Sequence, residues 1–308
     1  MRIIEDCAID FAEYMASPPD AAKIKPAASW ADDVIAKFCG NEDRQANGVN
    51  LPWTKTHGNI ALRSGEVSLW TGMNGHGKSQ LLGQVILLAL VQGVKACIAS
   101  LEMKPVATMA RMTRQASATS RPSERFIREF HAWTDGKLWL YDQQGTVKSD
   151  RMLAVARFCH AELGVTHFVI DSLMKCGIGV DDYNRQKAFV DEITSLARDT
   201  GMHIHIVAHS RKGQDENTPP GKMDVKGASE ITDQVDNVFS VWRNKRKENE
   251  AQKPNPRAEI LESPDALLIC DKQRHGEWEG TAGLYFHRDS LQYMGGANSR
   301  PDPYKCNE

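Results

Sequence analysis

Short apolar runs alternate with longer stretches of helical periodicity from residue 61 onward. EVSLWTG (66–72) is an apolar run that ends on a glycine-rich turn, and an apolar helix is predicted over 78–90. KACIAS (95–100), LWLY (138–141), THFVID (166–171), HIHIVAH (203–209), DNVFSVW (236–242) and ALLICDKQ (266–273) read as further buried strands. Helical patterns over 105–130, 150–163 and 184–199 separate several of them. Strands alternating with helices predict a mostly parallel sheet covered on both faces. The later strands lose their intervening helices, so the sheet is expected to end in antiparallel hairpins.

Before residue 61 the pattern is weaker. Pro18, Pro19 and Pro26 interrupt the first segment, which reads as an arm. SWADDVIAKFCG (29–40) follows. Ser29 and Asp32 suggest a capping box, and Gly40 a stop. Trp30, Val34, Ile35 and Phe38 fall on one face of this short helix. Residues 41–60 read as polar and irregular. The basic run 243–259, RNKRKENEAQKPNPRAE, reads as a mobile hairpin loop.

Composition narrows the class without naming it. Hydrophobic residues make up 41% and charged residues 25%, which is globular rather than disordered. The net charge of −2 excludes a uniformly basic nucleic-acid binder and leaves room for a local basic surface. Seven cysteines without a CxxC pair argue against a zinc site or a disulfide framework. The longest apolar stretch falls far short of the roughly 20 residues that span a bilayer. With no signal-peptide layout, the expectation is a soluble cytoplasmic protein without membrane contact.

The chemistry begins at residues 72–79, GMNGHGKS, a full GxxxxGK[ST] match between a strand and a helix. Gly72, Gly75 and Gly77 let backbone N–H groups curl toward a phosphate, and the helix N-terminus adds its dipole. Lys78 can reach the β- and γ-phosphates of ATP or another NTP, and Ser79 can hold Mg²⁺. Met73, Asn74, His76 and Gln80 complete the predicted cradle, His76 being foremost a loop filler. Asp171 ends a buried strand, where a carboxylate can bind Mg²⁺ directly or through water. Glu102 lies just past another strand end and can polarise an attacking water. His209, past a third strand end, can donate to the γ-phosphate. His203 and His205 are expected to be structural or partly exposed.

SLEM (100–103), FVID (168–171), VAHSRK (207–212), DVKGASEITDQVDNVFSVWRNK (224–245) and CDKQRHGEWEGTAG (270–283) together resemble the RecA-type motor domain of hexameric replicative DNA helicases. That group includes bacterial DnaB helicases, bacteriophage primase–helicases and Twinkle. The resemblance covers about residues 29–295. It implies that Glu102 is the catalytic base, Asp171 the Walker B acid and His209 the phosphate sensor. It makes Arg274, with Lys272, an arginine finger that reaches a neighbouring subunit's site. It assigns Arg243 to the nucleotide base, opposed by Phe286 or His287. Channel loops over 210–228 would hold single-stranded DNA through Arg211, Lys212, Lys222 and Lys226. Asp233 departs from the family's usual Gln.

The expected fold is therefore α/β: a RecA-like P-loop NTPase core with antiparallel C-terminal hairpins, preceded by a short helical N-terminal arm. The predicted organisation is an arm, subunit-packing helix and linker (1–60), a motor domain (61–295) and a polar tail (296–308). The expected activity is an ATP-dependent ring DNA helicase of phage-type replication, in a bacterial or phage-infected cytosol. Its expected partners are single-stranded DNA, further copies in a homo-hexamer, and a separate primase or helicase loader. A recombinase or regulatory RecA-like ATPase, or a nucleotide-dependent ring assembly protein, remains the alternative.

Overall fold

A computed structural model describes residues 2–4, 26–32, 35, 48–178, 182–210, 218–219 and 229–306. Twelve strands are found among them: β1 (Arg2–Ile4), β2 (Val49–Asn50), β3 (Ala61–Leu62), β4 (Val67–Thr71), β5 (Ala96–Ser100), β6 (Leu138–Tyr141), β7 (His167–Asp171), β8 (His203–Val207), β9 (Asn237–Arg243), β10 (Ala266–Gln273), β11 (Gly280–His287) and β12 (Gln292–Met294). Ten of these form one sheet in the order β1-β6-β5-β7-β8-β4-β9-β10-β11-β12, while β2 and β3 form a separate hairpin. Pairing is parallel from β1 through β9, and antiparallel from β9 to β12. This is the expected RecA-like arrangement with antiparallel C-terminal strands.

The helices are α1 (Lys78–Val91), α2 (Pro105–Ser117), α3 (Glu124–Thr134), α4 (Ser149–Leu163), α5 (Tyr183–Thr200), α6 (Ser229–Gln234), α7 (Lys245–Ala251) and α8 (Ala258–Leu261). Both sheet faces are covered, so the central strands are buried on alternate sides rather than amphipathic. On one face Val67, Leu69, Phe168, Ile170, Ile204 and Ile206 pack on α4 and α5 through Val155, Cys159, Phe189 and Ile193. On the other, Trp70, Val169, Val207 and Phe239 pack on α1 and α2 through Leu81, Val85, Met109 and Met112. α1 is buried around most of its circumference, because the sheet lies on one side and α2, β2 and β12 on the other.

Four expectations are corrected. The 105–130 helix is two helices: Ala118 takes a left-handed conformation (φ 58°) and Pro122 stands in the break, before Ser123 caps α3 by accepting from the Phe126 N–H. Residues 41–60 are not uniformly polar and irregular, because Leu51, Trp53 and Ile60 are buried in the α1-side core. The run 243–259 is not a bare loop, because it contains α7 and α8. Buried Glu250 organises it, accepting from Lys253 at 2.8 Å and from the Arg257 backbone N–H and guanidinium at 3.1–3.2 Å. Those contacts, Arg257 first, hold its carboxyl down at about 2.

The fourth concerns the N-terminal helix. Ser29 lies inside a 3-10 turn (Ala27–Trp30) and donates back to the Pro26 carbonyl, so the capping box does not form. Ile35 is 56% exposed, while Val34 and Phe38 lie outside the described residues. Strand β1, pairing in parallel with β6 at Arg2↔Trp139, carried no signal in the pattern.

Candidate nucleotide site

Parallel strands deliver their C-terminal ends to one edge of a sheet, and ligands of such sheets bind there. Here that edge carries the loop between β4 and α1. Gly77, with φ 87°, precedes α1 without a side-chain cap, leaving the first N–H groups of the helix facing outward. Gly72 admits no side chain, since a Cβ would run into the Val241 carbonyl of β9. The loop is thus pressed against its neighbour strand.

Lys78 is buried, and its ammonium donates to the Gly72 and Met73 carbonyls at 2.7 and 3.0 Å. Burial pulls its pKa down to about 8, against the opposing pull of Asp171 and Glu102. Asp171, 8% exposed, has its pKa raised by burial although Ser79 donates a hydrogen bond to it and Lys78 and Arg111 lie near. Glu102 follows β5 and His209 follows β8; His209 Nε2 stands 3.7 Å from Glu102 Oε1. Ser172 Oγ donates to that same oxygen at 2.9 Å. Asn74, Gly75, Gly77, Lys78, Ser79, Gln80, Glu102, Arg111, Asp171, Val207 and His209 line one open cleft of about 400 Å³.

Four separate sequence segments therefore converge as their patterns implied. The arrangement offers backbone donors and a buried ammonium for phosphate, a hydroxyl–carboxylate pair for a hard cation, and a half-exposed carboxylate facing the same space. The Ser79–Asp171 pair fits Mg²⁺, which takes few protein oxygens and completes its shell with water and phosphate. An under-compensated buried carboxylate is the local sign of such a cation. No cluster of three or more His, Cys, Asp or Glu suited to a metal occurs among the described residues.

Other predicted residues are placed differently. His76 is buried, and its Nδ1 accepts the Arg243 backbone N–H at 3.2 Å, so its ring serves the loop's seat on β9. The Arg243 guanidinium pairs with Glu248 and reaches the Gly75 carbonyl at 3.5 Å, on the rim of the loop. Phe286 and His287 do not line the cleft. They border a second hollow of about 340 Å³ with Lys247, Asp265 and Tyr285. Tyr293, whose ring lies tilted 45° to that of Phe286 with centroids 5.1 Å apart, is the aromatic that lies against Gly77.

Lys272 and Arg274 stand away from their own cleft. The Lys272 ammonium donates to the Thr232, Asp233 and Val235 carbonyls at 2.8–3.0 Å. Arg274 donates to Asp233 and Gln234 and faces Asp236 at 3.4 Å. Both cations thus close the C-terminal end of α6, a favourable place for positive charge. Asp233 takes part through its carbonyl, with its side chain exposed. Arg211, Lys212, Lys222 and Lys226 lie outside the described residues.

Pattern reading missed Arg111 and Ser172. Arg111 sits in α2, outside every motif, and enters the cleft through packing; burial lowers its pKa while Asp171 supports its charge. His203 and His205 are fully buried rather than partly exposed. No described helix is long and apolar enough to cross a membrane.

Comparison with solved structures finds the same fold in the ATPase domain of G40P (TM-score 0.72, 14% identity, 88% of this chain and 99% of that chain). A DnaB-like replicative helicase, described with its primase interactions, matches with TM-score 0.69 and 14% identity over 89% of this chain and 69% of that chain. At this identity the likeness speaks for the fold. The model of the AAA domain matches residues 55–215, a stretch that holds the phosphate loop, Glu102, Asp171 and His209. The phosphate loop at this edge accords with that match, and the chain belongs to the AAA domain family.

Proposed function

We propose that the protein is an ATP-driven DNA helicase that assembles as a hexameric ring and translocates on single-stranded DNA. The observation that carries the reading is the cleft itself. A phosphate loop, a Ser79–Asp171 pair and the half-exposed Glu102 carboxylate face one space, in a fold shared with a replicative helicase.

In this reading Lys78 and the loop N–H groups hold the β- and γ-phosphates, with Arg111 and His209 on the γ-phosphate. Mg²⁺ held by Ser79 and Asp171 would neutralise developing phosphate charge. Glu102 accepts a proton from the attacking water as its oxygen bonds to the γ-phosphorus. The bridging P–O bond breaks, and ADP leaves with its electron pair. Arg274, and Lys272 with it, serves a neighbour's site after releasing the α6 carbonyls, which makes the ring necessary for turnover. Ser210, which precedes the segment 211–228 in sequence, lies beside the phosphate loop, its N–H donating to the Gly72 carbonyl at 3.1 Å. DNA held there by Arg211, Lys212, Lys222 and Lys226 would be coupled to the nucleotide. A primase or loader on another chain is part of the proposal, in keeping with the primase named with the DnaB-like structure.

The deciding experiment measures ATP hydrolysis with and without single-stranded DNA together with particle size. Hexamers whose turnover rises with DNA are expected. Particles whose turnover ignores DNA would favour the regulatory or assembly alternatives. Changing Arg211 and Lys212 together to Ala should lower single-strand affinity and flatten its salt dependence, because fewer counterions are released. Unchanged binding across a salt series would move the DNA site elsewhere, the basic run around 243–247 being next.

A further inference from the structure

Ser172 is used by no motif, yet it sits at the chemical centre. It immediately follows Asp171, is fully buried, and donates from Oγ to Glu102 Oε1 at 2.9 Å. The strands that carry the two residues are locked in register. Ser100 of β5 pairs with Asp171 of β7, and the Leu101 N–H donates to the Asp171 carbonyl at 2.7 Å. Glu102 and Ser172 therefore leave adjacent strands just past their last pairing and must meet. The backbone sets where the carboxylate begins, but not how its plane turns.

Glu102 itself is only partly sheltered. Its side chain is 40% exposed, and His209 Nε2 lies 3.7 Å from the same oxygen that Ser172 holds. A hydroxyl fixed in the core is the rigid partner of that pair, because it has no exposed rotamer to escape to. Occupying Oε1 leaves Oε2 as the oxygen that can accept a proton from water in the cleft.

We propose that Ser172 is a positioning residue for Glu102, which it holds turned toward the attacking water. The proposal rests on the reading of Glu102 as the base. It predicts an effect on turnover without one on nucleotide binding, since among the described residues Glu102 is the cleft-lining side chain that Ser172 Oγ bonds.

The test uses the full-length protein and steady-state ATP hydrolysis. Ser172→Ala should lower kcat about tenfold, the size expected for one lost hydrogen bond to a charged group. KM for ATP and the affinity for a non-hydrolysable ATP analogue should stay at wild-type values. Ser172→Thr, which keeps the hydroxyl, should restore most of kcat. On a Glu102→Asp background, whose shorter carboxylate falls short of Ser172, Ser172→Ala should lower kcat no further. This last arm decides the matter if the Thr variant is too bulky to fold. A Ser172→Ala protein within twofold of wild-type kcat would overturn the proposal, as would a parallel rise in KM or additive losses with Glu102→Asp. Glu102→Gln is assayed alongside: wild-type turnover there defeats the base reading itself, whereas its inactivity beside an unaffected Ser172→Ala defeats the positioning role alone.

Discussion

The two ends of the central strands hold the same kinds of side chain in opposite conditions. On β7, His167 opens the strand and Asp171 closes it. On β8, His203 and His205 open the strand, and His209 lies just beyond its end. At the closing end the groups are turned toward one cleft, Asp171 buried and Glu102 and His209 partly exposed. At the opening end three imidazoles pack together with ring centroids 4.6–5.3 Å apart, His167 and His203 stacked and His205 tilted to both, sealed from solvent.

Hydrogen bonds link the sealed histidines to one another and to their surroundings. Trp70 Nε1 donates to His205 Nδ1 at 3.1 Å, so the His205 proton sits on Nε2 and can be given to His167 Nδ1 at 3.1 Å. His203 Nδ1 faces the Arg63 carbonyl at 2.6 Å, which places its proton there and leaves Nε2 to accept from Ser68 Oγ at 2.8 Å. Burial pushes the His203 pKa down to about 4 and those of the other two well below the usual range. Histidine is thus packing material at one end of a strand and a candidate phosphate sensor at the other. Position along a parallel strand, and the water it admits, separates the roles.

If the cleft is finished by a neighbour, the largest change comes from a residue outside it. Arg274→Ala should lower turnover about 10³–10⁵-fold, the usual range for an arginine finger. Mixing it with Lys78→Ala protein should recover activity in hetero-rings, where a sound cradle meets a sound finger. Absence of recovery under conditions where mixed rings form would confine Arg274 to its structural seat on α6.

Within the cleft, Glu102→Gln should cut hydrolysis about 10²–10⁴-fold while leaving nucleotide affinity intact, because the amide cannot take the proton. Equilibrium binding beside single-turnover rates tests this. Lys78→Ala removes a charge-assisted phosphate contact and should weaken nucleotide binding about 10–100-fold. Titration with a fluorescent nucleotide reads the loss, and full affinity would mean that Lys78 stays bonded to its own loop carbonyls.

The opening end should answer to pH instead of to nucleotide. Buried neutral histidines with lowered folded-state pKa bind fewer protons than the unfolded chain between pH 6.5 and about 4. Stability should therefore fall as pH drops through that window, by about 2 kcal/mol at pH 5 for His203 alone. Arg63, Glu66 and Asp236 are the charged groups nearest this cluster, and Asp236 opposes part of the effect. Urea midpoints at pH 7.5 and pH 5 measure it. The same shift in Glu102→Gln protein would separate the two ends cleanly; a shift abolished by Glu102→Gln would merge them.

Local chemistry alone settled a good deal. The phosphate loop needs its glycines, lysine and serine in consecutive order, so GMNGHGKS announced both its geometry and its ligand. Asp171, Glu102 and His209 were legible because each follows an apolar run, and parallel strands must deliver such positions to one edge. Tertiary packing decided the rest. Arg111 reaches the cleft by the way α2 lies on α1, which no spacing encodes. Ser172 finds Glu102 through the register of β5 and β7. Tyr293, rather than Phe286 or His287, lies against Gly77 because β12 pairs at the end of the sheet. Residues 243–259 fold around one buried carboxylate, which a reading of net basic character overlooks. Motifs within a few residues are local statements and can be read from the chain. Contacts tens to hundreds of residues apart depend on which faces the core has buried, and only the folded sheet decides that.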